Sequence, residues 1–161
     1  MDLGAVRILV VDDNRQAREL IKSVLASVGA REIRHALTAH DAFELLRQEQ
    51  IDLVVLDHNL GEGGEGLALA QRIRKDPASP NPFVSILMLT GHADAALVRG
   101  ARDAGVNEFL AKPFNVAGLI KRVEALIFQP RLFVRSPDYV GPDRRRRVDN
   151  EYAGVERRRR R

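Results

Sequence analysis

The chain has 161 residues, 45% of them hydrophobic, and no cysteine. This length suits one domain of about 100 to 150 residues with an extension, and the missing cysteine excludes both a disulfide framework and a thiolate metal site. The net charge of +4 is unevenly spread: residues 1–129 hold 15 Lys/Arg against 17 Asp/Glu, and residues 130–161 hold 11 Arg against 5 acids.

The N-terminus lacks the basic start and long apolar stretch of a secretory signal. No apolar run approaches the ~20 residues that span a bilayer. A soluble, cytoplasmic protein without membrane insertion is therefore expected.

Taken in chain order, short apolar runs alternate with segments of helical period. Strands are expected over 7–11, 32–36, 53–56, 84–89 and 108–110. Between them, Ala17, Leu20, Ile21, Val24, Leu25 and Val28 recur at three- and four-residue spacing, and Gly29 stops that helix. Thr38 and Asp41 open a second helix ending near Gln48. Leu67, Leu69, Ala70 and Ile73 mark a third, broken by Pro77, Pro80 and Pro82, and 93–104 and 115–127 supply the last two. Five βα units predict an α/β fold, (βα)5: a doubly wound parallel sheet covered by helices on both faces, with right-handed connections. The domain is placed at 5–129. The arginine-rich extension, 130–161, carries Pro130, Pro137, Gly141 and Pro142 and few residues that could pack. It is expected to be disordered, or to fold only on ligand binding, beyond an anchor at Leu132, Phe133 and Val134.

In such a sheet, ligands bind at the carboxyl ends of the strands. Asp12 and Asp13 follow the first strand, Asp57 the third, Thr90 the fourth and Lys112 the fifth, directly before Pro113. Three converging carboxylates repel one another unless a cation sits among them, and Mg2+ takes one or two carboxylates, water and a phosphate oxygen. A hydroxyl and an ammonium complete a site for a phosphoryl group.

At these residues the chain resembles the CheY-like receiver domain of bacterial response regulators, over 7–128, and the resemblance implies the flavodoxin-like strand order 2-1-3-4-5. The resemblance implies that Asp57 is the phosphoacceptor for a sensor histidine kinase, with Thr90 and Lys112 binding the phosphoryl oxygens. It implies Mg2+ ligands at Asp13, Asp57 and the carbonyl of Asn59, with Asp12 acting through water. It also implies a switch aromatic at Phe109, a cis Lys112–Pro113 bond and a readout face on the fourth helix, fifth strand and fifth helix. Gly61 stands where the family usually has proline. Turnover of a diffusible substrate is not expected beyond self-phosphorylation and slow self-dephosphorylation.

The extension says one phrase twice. Tyr139-Val-Gly-Pro-Asp143-Arg144-Arg145-Arg146-Arg147 returns thirteen residues on as Tyr152-Ala-Gly-Val-Glu156-Arg157-Arg158-Arg159-Arg160, with Arg161 last. Guanidinium forks fit phosphate and the O6/N7 edge of guanine, a carboxylate accepts from its N1/N2 donors, and tyrosine stacks on the ring. The interspersed acids argue against a nucleic-acid backbone as the ligand. Cyclic di-GMP fits this kit best, so Tyr139, Asp143, Arg144 to Arg147, Tyr152, Glu156 and Arg157 to Arg160 are its candidate contacts. The extension resembles that of the Cle group of CheY-like proteins. That resemblance implies cyclic di-GMP binding, a flagellar motor switch partner and recruitment to the motor at the cell pole. The alternative is a relay receiver, driven by phosphorylation, whose basic tail holds nucleic acid or an acidic protein nonspecifically.

Overall fold

The computed structural model describes residues 2–91 and 94–145. Five parallel strands, β1 (Arg7–Val11), β2 (Glu32–Ala36), β3 (Leu53–Asp57), β4 (Ser85–Thr90) and β5 (Glu108–Ala111), form one sheet in the order β2-β1-β3-β4-β5. The helices α1 (Arg15–Ser27), α2 (Ala39–Gln48), α3 (Gly66–Lys75), α4 (Ala95–Asp103) and α5 (Val116–Phe128) connect them, giving the expected doubly wound fold.

Side chains alternate across each strand, so the sheet has two cores. Leu9, Val11, Val54, Leu56, Ile86 and Met88 pack on the face covered by α2, α3 and α4. Ile8, Val10, Leu53, Val55, Leu87 and Leu89 pack on the face covered by α1 and α5. Burial on both faces explains why the inner strands read as continuous apolar runs rather than alternating ones. Asn14, Thr38, Asp94 and Asn115 cap α1, α2, α4 and α5, each side chain accepting from a backbone N–H three residues on.

The extension departs from the expectation of a segment without structure of its own. Strands β6 (Phe133–Arg135) and β7 (Val140–Pro142) form an antiparallel hairpin. Its register is closed by Asp143 N–H donating to Leu132 O at 2.6 Å. It folds because it lands on a prepared surface. Gly141 lies against Gly105 so closely that a Cβ on Gly141 would sit 2.8 Å from Gly105 Cα and 2.6 Å from Tyr139 Oη. Phe133 packs edge-on against Phe83, with ring centroids 5.4 Å apart, and lies 4.9 Å from the guanidinium of Arg74. Composition missed this because three small contacts, one between glycines and two through Phe133, replace the apolar core that a free-standing segment would need.

Arg74 is the pin beneath. Only 1% exposed, its guanidinium donates to Gly105 O, Pro82 O, Val84 O and Asn107 Oδ1, at 3.0, 2.9, 2.7 and 2.9 Å. It thereby ties α3 to the loops before β4 and β5. Burial pulls its pKa down to about 10, which still leaves it charged at neutral pH. A buried cation is tolerable here because its N–H groups are taken up by oxygens.

Candidate phosphoacceptor site

Strand register assembles the site. Val11 pairs with Leu56, so Asp12 and Asp57, one residue further on, stand abreast; Asp57 pairs with Leu89, and Thr90 with Ala111, so Thr90 and Lys112 come one step beyond. This is the sheet's switch point, where β1 leads outward to β2 and β3 returns on its other side.

Asp12 and Asp57 are buried, at 1% and 6% exposure, whereas Asp13 is open to solvent. One carboxylate oxygen from each lies within 4.8 Å of the others. Lys112 Nζ is 3.1 Å from Asp57 Oδ1 and 3.5 Å from Asp12 Oδ2. Asp12 Oδ1 accepts from Asn14 N–H at 2.8 Å. Among the described residues its buried Oδ2 has no hydrogen-bond partner, since the Lys112 distance is that of a charge contact rather than a good hydrogen bond. Burial raises the pKa of Asp12 and the nearby Asp57 adds to this, against the opposing effects of Asn14 and Lys112.

An orphaned buried carboxylate oxygen facing two further carboxylates is a hard-oxygen donor set, and it fits Mg2+. Asp12, Asp13 and Asp57 would hold the ion. Asn59, exposed on the following turn, donates its N–H to Asp57 Oδ1 at 3.3 Å, and its carbonyl is the further expected donor.

Thr90 is 2% exposed at the end of β4, and its carbonyl accepts from Lys112 N–H at 2.6 Å. The Lys112–Pro113 bond is cis, as expected. Phe109 is partly buried against the α2–α4 core.

Two residues, Arg18 and Gly66, escaped the sequence reading. Arg18 is buried and donates to Asp12 O at 2.8 Å, fixing the backbone beneath the carboxylates. Its place three residues before Ile21 and seven before Leu25, on the apolar stripe of α1, was the available signal. Gly66 lets the start of α3 abut β3: a Cβ there would be 2.8 Å from His58 O and closer still to Asp57 O. Gly61, at φ +68, donates its N–H to Asp13 Oδ2 at 3.3 Å, in a conformation that proline could not adopt.

The tail candidates are divided. Tyr139 is only 9% exposed, and its hydroxyl donates to Pro142 O at 2.9 Å. Arg144 lies 3.9 Å from the Tyr139 ring centroid and 3.2 Å from Asp103. Asp143 Oδ1 accepts from Arg145 N–H at 3.0 Å. The structure thus places Tyr139 and Arg144 in contacts within the fold, about which the sequence was silent. Arg146, Arg147, Tyr152, Glu156 and Arg157 to Arg160 lie outside the described residues.

The family model for the response regulator receiver domain matches residues 8–124. The chain is 31% identical to chemotaxis protein CheY-3 of Vibrio cholerae, over 75% of this chain and 91% of that one. It is 28% identical to a probable chemotaxis protein CheY of Rhizobium etli, over 75% and 92% of the two chains. Among solved structures, a putative response regulator from Chloroflexus aurantiacus superposes with a TM-score of 0.68 at 31% identity, covering 75% of this chain and 96% of that one. The receiver domain of NtrX from Brucella abortus gives 0.67 at 32% identity, over 75% and 98%. With its acidic pocket at the switch point and the matching family model over residues 8–124, the chain belongs to the response regulator receiver family.

Proposed function

We propose that Asp57 accepts a phosphoryl group from a sensor histidine kinase, and that the arginine-rich extension binds cyclic di-GMP. Both inputs control binding of a protein partner, the flagellar motor switch. The observation that carries the first part is the Asp57–Lys112 contact of 3.1 Å at a pocket of three carboxylates. Asp57, the better placed of the two buried carboxylates, is the nucleophile. An oxygen of its side chain attacks phosphorus, the P–N bond to the donor imidazole breaks, and the aspartyl phosphate remains. Lys112 is poised to take up charge on the phosphoryl oxygens, and Thr90 offers a hydroxyl from the adjoining strand end. Bound Mg2+ would neutralise the approaching phosphoryl group. Labelling by a small phosphodonor with Mg2+ tests this; no labelling of the native chain, or full labelling of Asp57→Asn, defeats it.

The second part is supported by the repeated aromatic-glycine-acid-arginine phrase, and the motor partner by similarity to chemotaxis proteins. Because Tyr139 and Arg144 are engaged within the fold, the nucleotide contacts tested first are Arg145, Arg146, Arg147 and the arginines of the second copy. Calorimetric titration with cyclic di-GMP compares the intact chain with a variant carrying alanine at Arg145 to Arg147 and Arg157 to Arg160. Binding only by the intact chain is expected. No binding, or equal binding, overturns the nucleotide reading; tight, salt-sensitive binding of any polynucleotide would favour the relay alternative.

A further inference from the structure

We propose that the surface around Gly105 and Asp103 is a docking site for the repeated phrase itself, and that the second copy, Tyr152 to Arg157, is its alternate occupant. The first copy shows what the site reads. Tyr139 folds back to give its hydroxyl to the Pro142 carbonyl. Gly141 permits backbone contact with Gly105, which any Cβ would prevent. Arg144 closes over the tyrosine ring and reaches Asp103 at 3.2 Å.

All three residues recur at the same spacing as Tyr152, Gly154 and Arg157. The positions that differ are Val140 against Ala153, Pro142 against Val155 and Asp143 against Glu156. Of these, Pro142 supplies a carbonyl, which every residue has. Val140 gives up some buried apolar surface when replaced by alanine, and Asp143 gives up a short turn that glutamate makes less well. The second copy therefore keeps the recognising groups and loses affinity at the margins.

Chain connectivity adds a further bias. With Arg135 paired to Val140, four residues turn the hairpin; with Arg135 paired to Ala153, roughly seventeen would. Closing the longer loop costs roughly a factor of nine in population. The first copy thus dominates, as in the structure, and the second is a minor state that any partner or ligand holding the first copy's arginines would enrich. The exchange does not depend on what that ligand is.

The chain has no cysteine, so disulfide trapping tests this directly. Asp103→Cys is combined in the full-length protein with Arg144→Cys, with Arg157→Cys, or with flanking controls at Val148, Asn150 and Arg161. Trapping at 144 should dominate. Trapping at 157 should be weaker by about tenfold or more, yet exceed all three controls; it should rise several-fold with Tyr139→Ala or Gly141→Val and fall to control level with Tyr152→Ala. Two disruptions of the first copy are used so that one poorly folded variant, identified by its melting curve, does not decide the result. Trapping at 157 equal to the controls, indifferent to Tyr152→Ala, or formed only between two molecules overturns the proposal.

Discussion

Replacing Asp12 by asparagine should stabilise the metal-free protein while removing much of its response to Mg2+. Asparagine keeps the shape of the side chain and the oxygen that accepts from Asn14 N–H. Its effect is therefore mainly the loss of charge. Each carboxylate pair in the pocket lies within 4.8 Å, which at an effective dielectric near 20 means about 3.5 kcal/mol of gross repulsion. Asp12 feels this from Asp57 in full and from solvent-exposed Asp13 in part. Against it stands attraction to Lys112 at 3.5 Å, about 5 kcal/mol gross on the same scale and reduced because Lys112 is partly exposed. The pairwise terms nearly cancel, so the burial of an ionised oxygen without a hydrogen-bond partner decides the sign. A net gain of about 1 to 2 kcal/mol follows, read as a rise of roughly 1 M in the urea midpoint at an unchanged slope.

The pH dependence has a definite sign. Asp12 has a raised pKa in the folded protein, so the native chain loses stability relative to the variant as pH climbs from the ordinary carboxylate range through that raised value. Below the ordinary range both folded and unfolded Asp12 are protonated, and the gap should close. Saturating Mg2+ should stabilise the native protein by about 2.7 kcal/mol at a hundredfold excess over Kd, and the variant by less. A variant less stable than the native chain in chelator at neutral pH, with an unchanged Mg2+ response, would refute the reasoning.

Other outcomes follow from the same contacts. Lys112→Ala leaves two buried carboxylates without their cation and should lower stability in chelator by about 1 to 3 kcal/mol, with labelling of Asp57 falling at least tenfold; urea melts and phosphodonor assays check both. Gly66→Ala forces a methyl against the β3 backbone and should cost about 1 to 3 kcal/mol by thermal melting, together with slower labelling. Tyr139→Phe deletes one buried donor to Pro142 O; about 1 kcal/mol of hairpin docking should be lost, seen as faster amide exchange over Phe133–Arg135 and Val140–Pro142 and unchanged exchange in β1 and β3. Arg74→Met removes the donors to the carbonyls of Pro82, Val84 and Gly105 and to Asn107 Oδ1 and should destabilise by about 2 to 3 kcal/mol, less than four lost bonds suggest, because a buried charge is removed with them.

The alternation of apolar runs with helical stripes determined the five βα units, because both patterns are local consequences of which residues must leave water. The polar set at the strand ends was legible for the same reason. Once β1, β3, β4 and β5 are located, register alone brings Asp12, Asp57, Thr90 and Lys112 to one edge. Tertiary structure alone decided that Arg18 fixes Asp12 from below, that Gly66 exists to let α3 approach, and that Arg74 is an internal pin rather than one more surface cation. It also decided the fate of the extension's first half. Tyr139 and Arg144 read as ligand contacts because their chemistry suits a nucleotide; the same stacking and ion pairing also suit Asp103 and a ring held by its own chain. A sequence names the groups that can bind. Which of them the fold has already engaged depends on distances between residues such as Gly105 and Gly141, which no local pattern encodes.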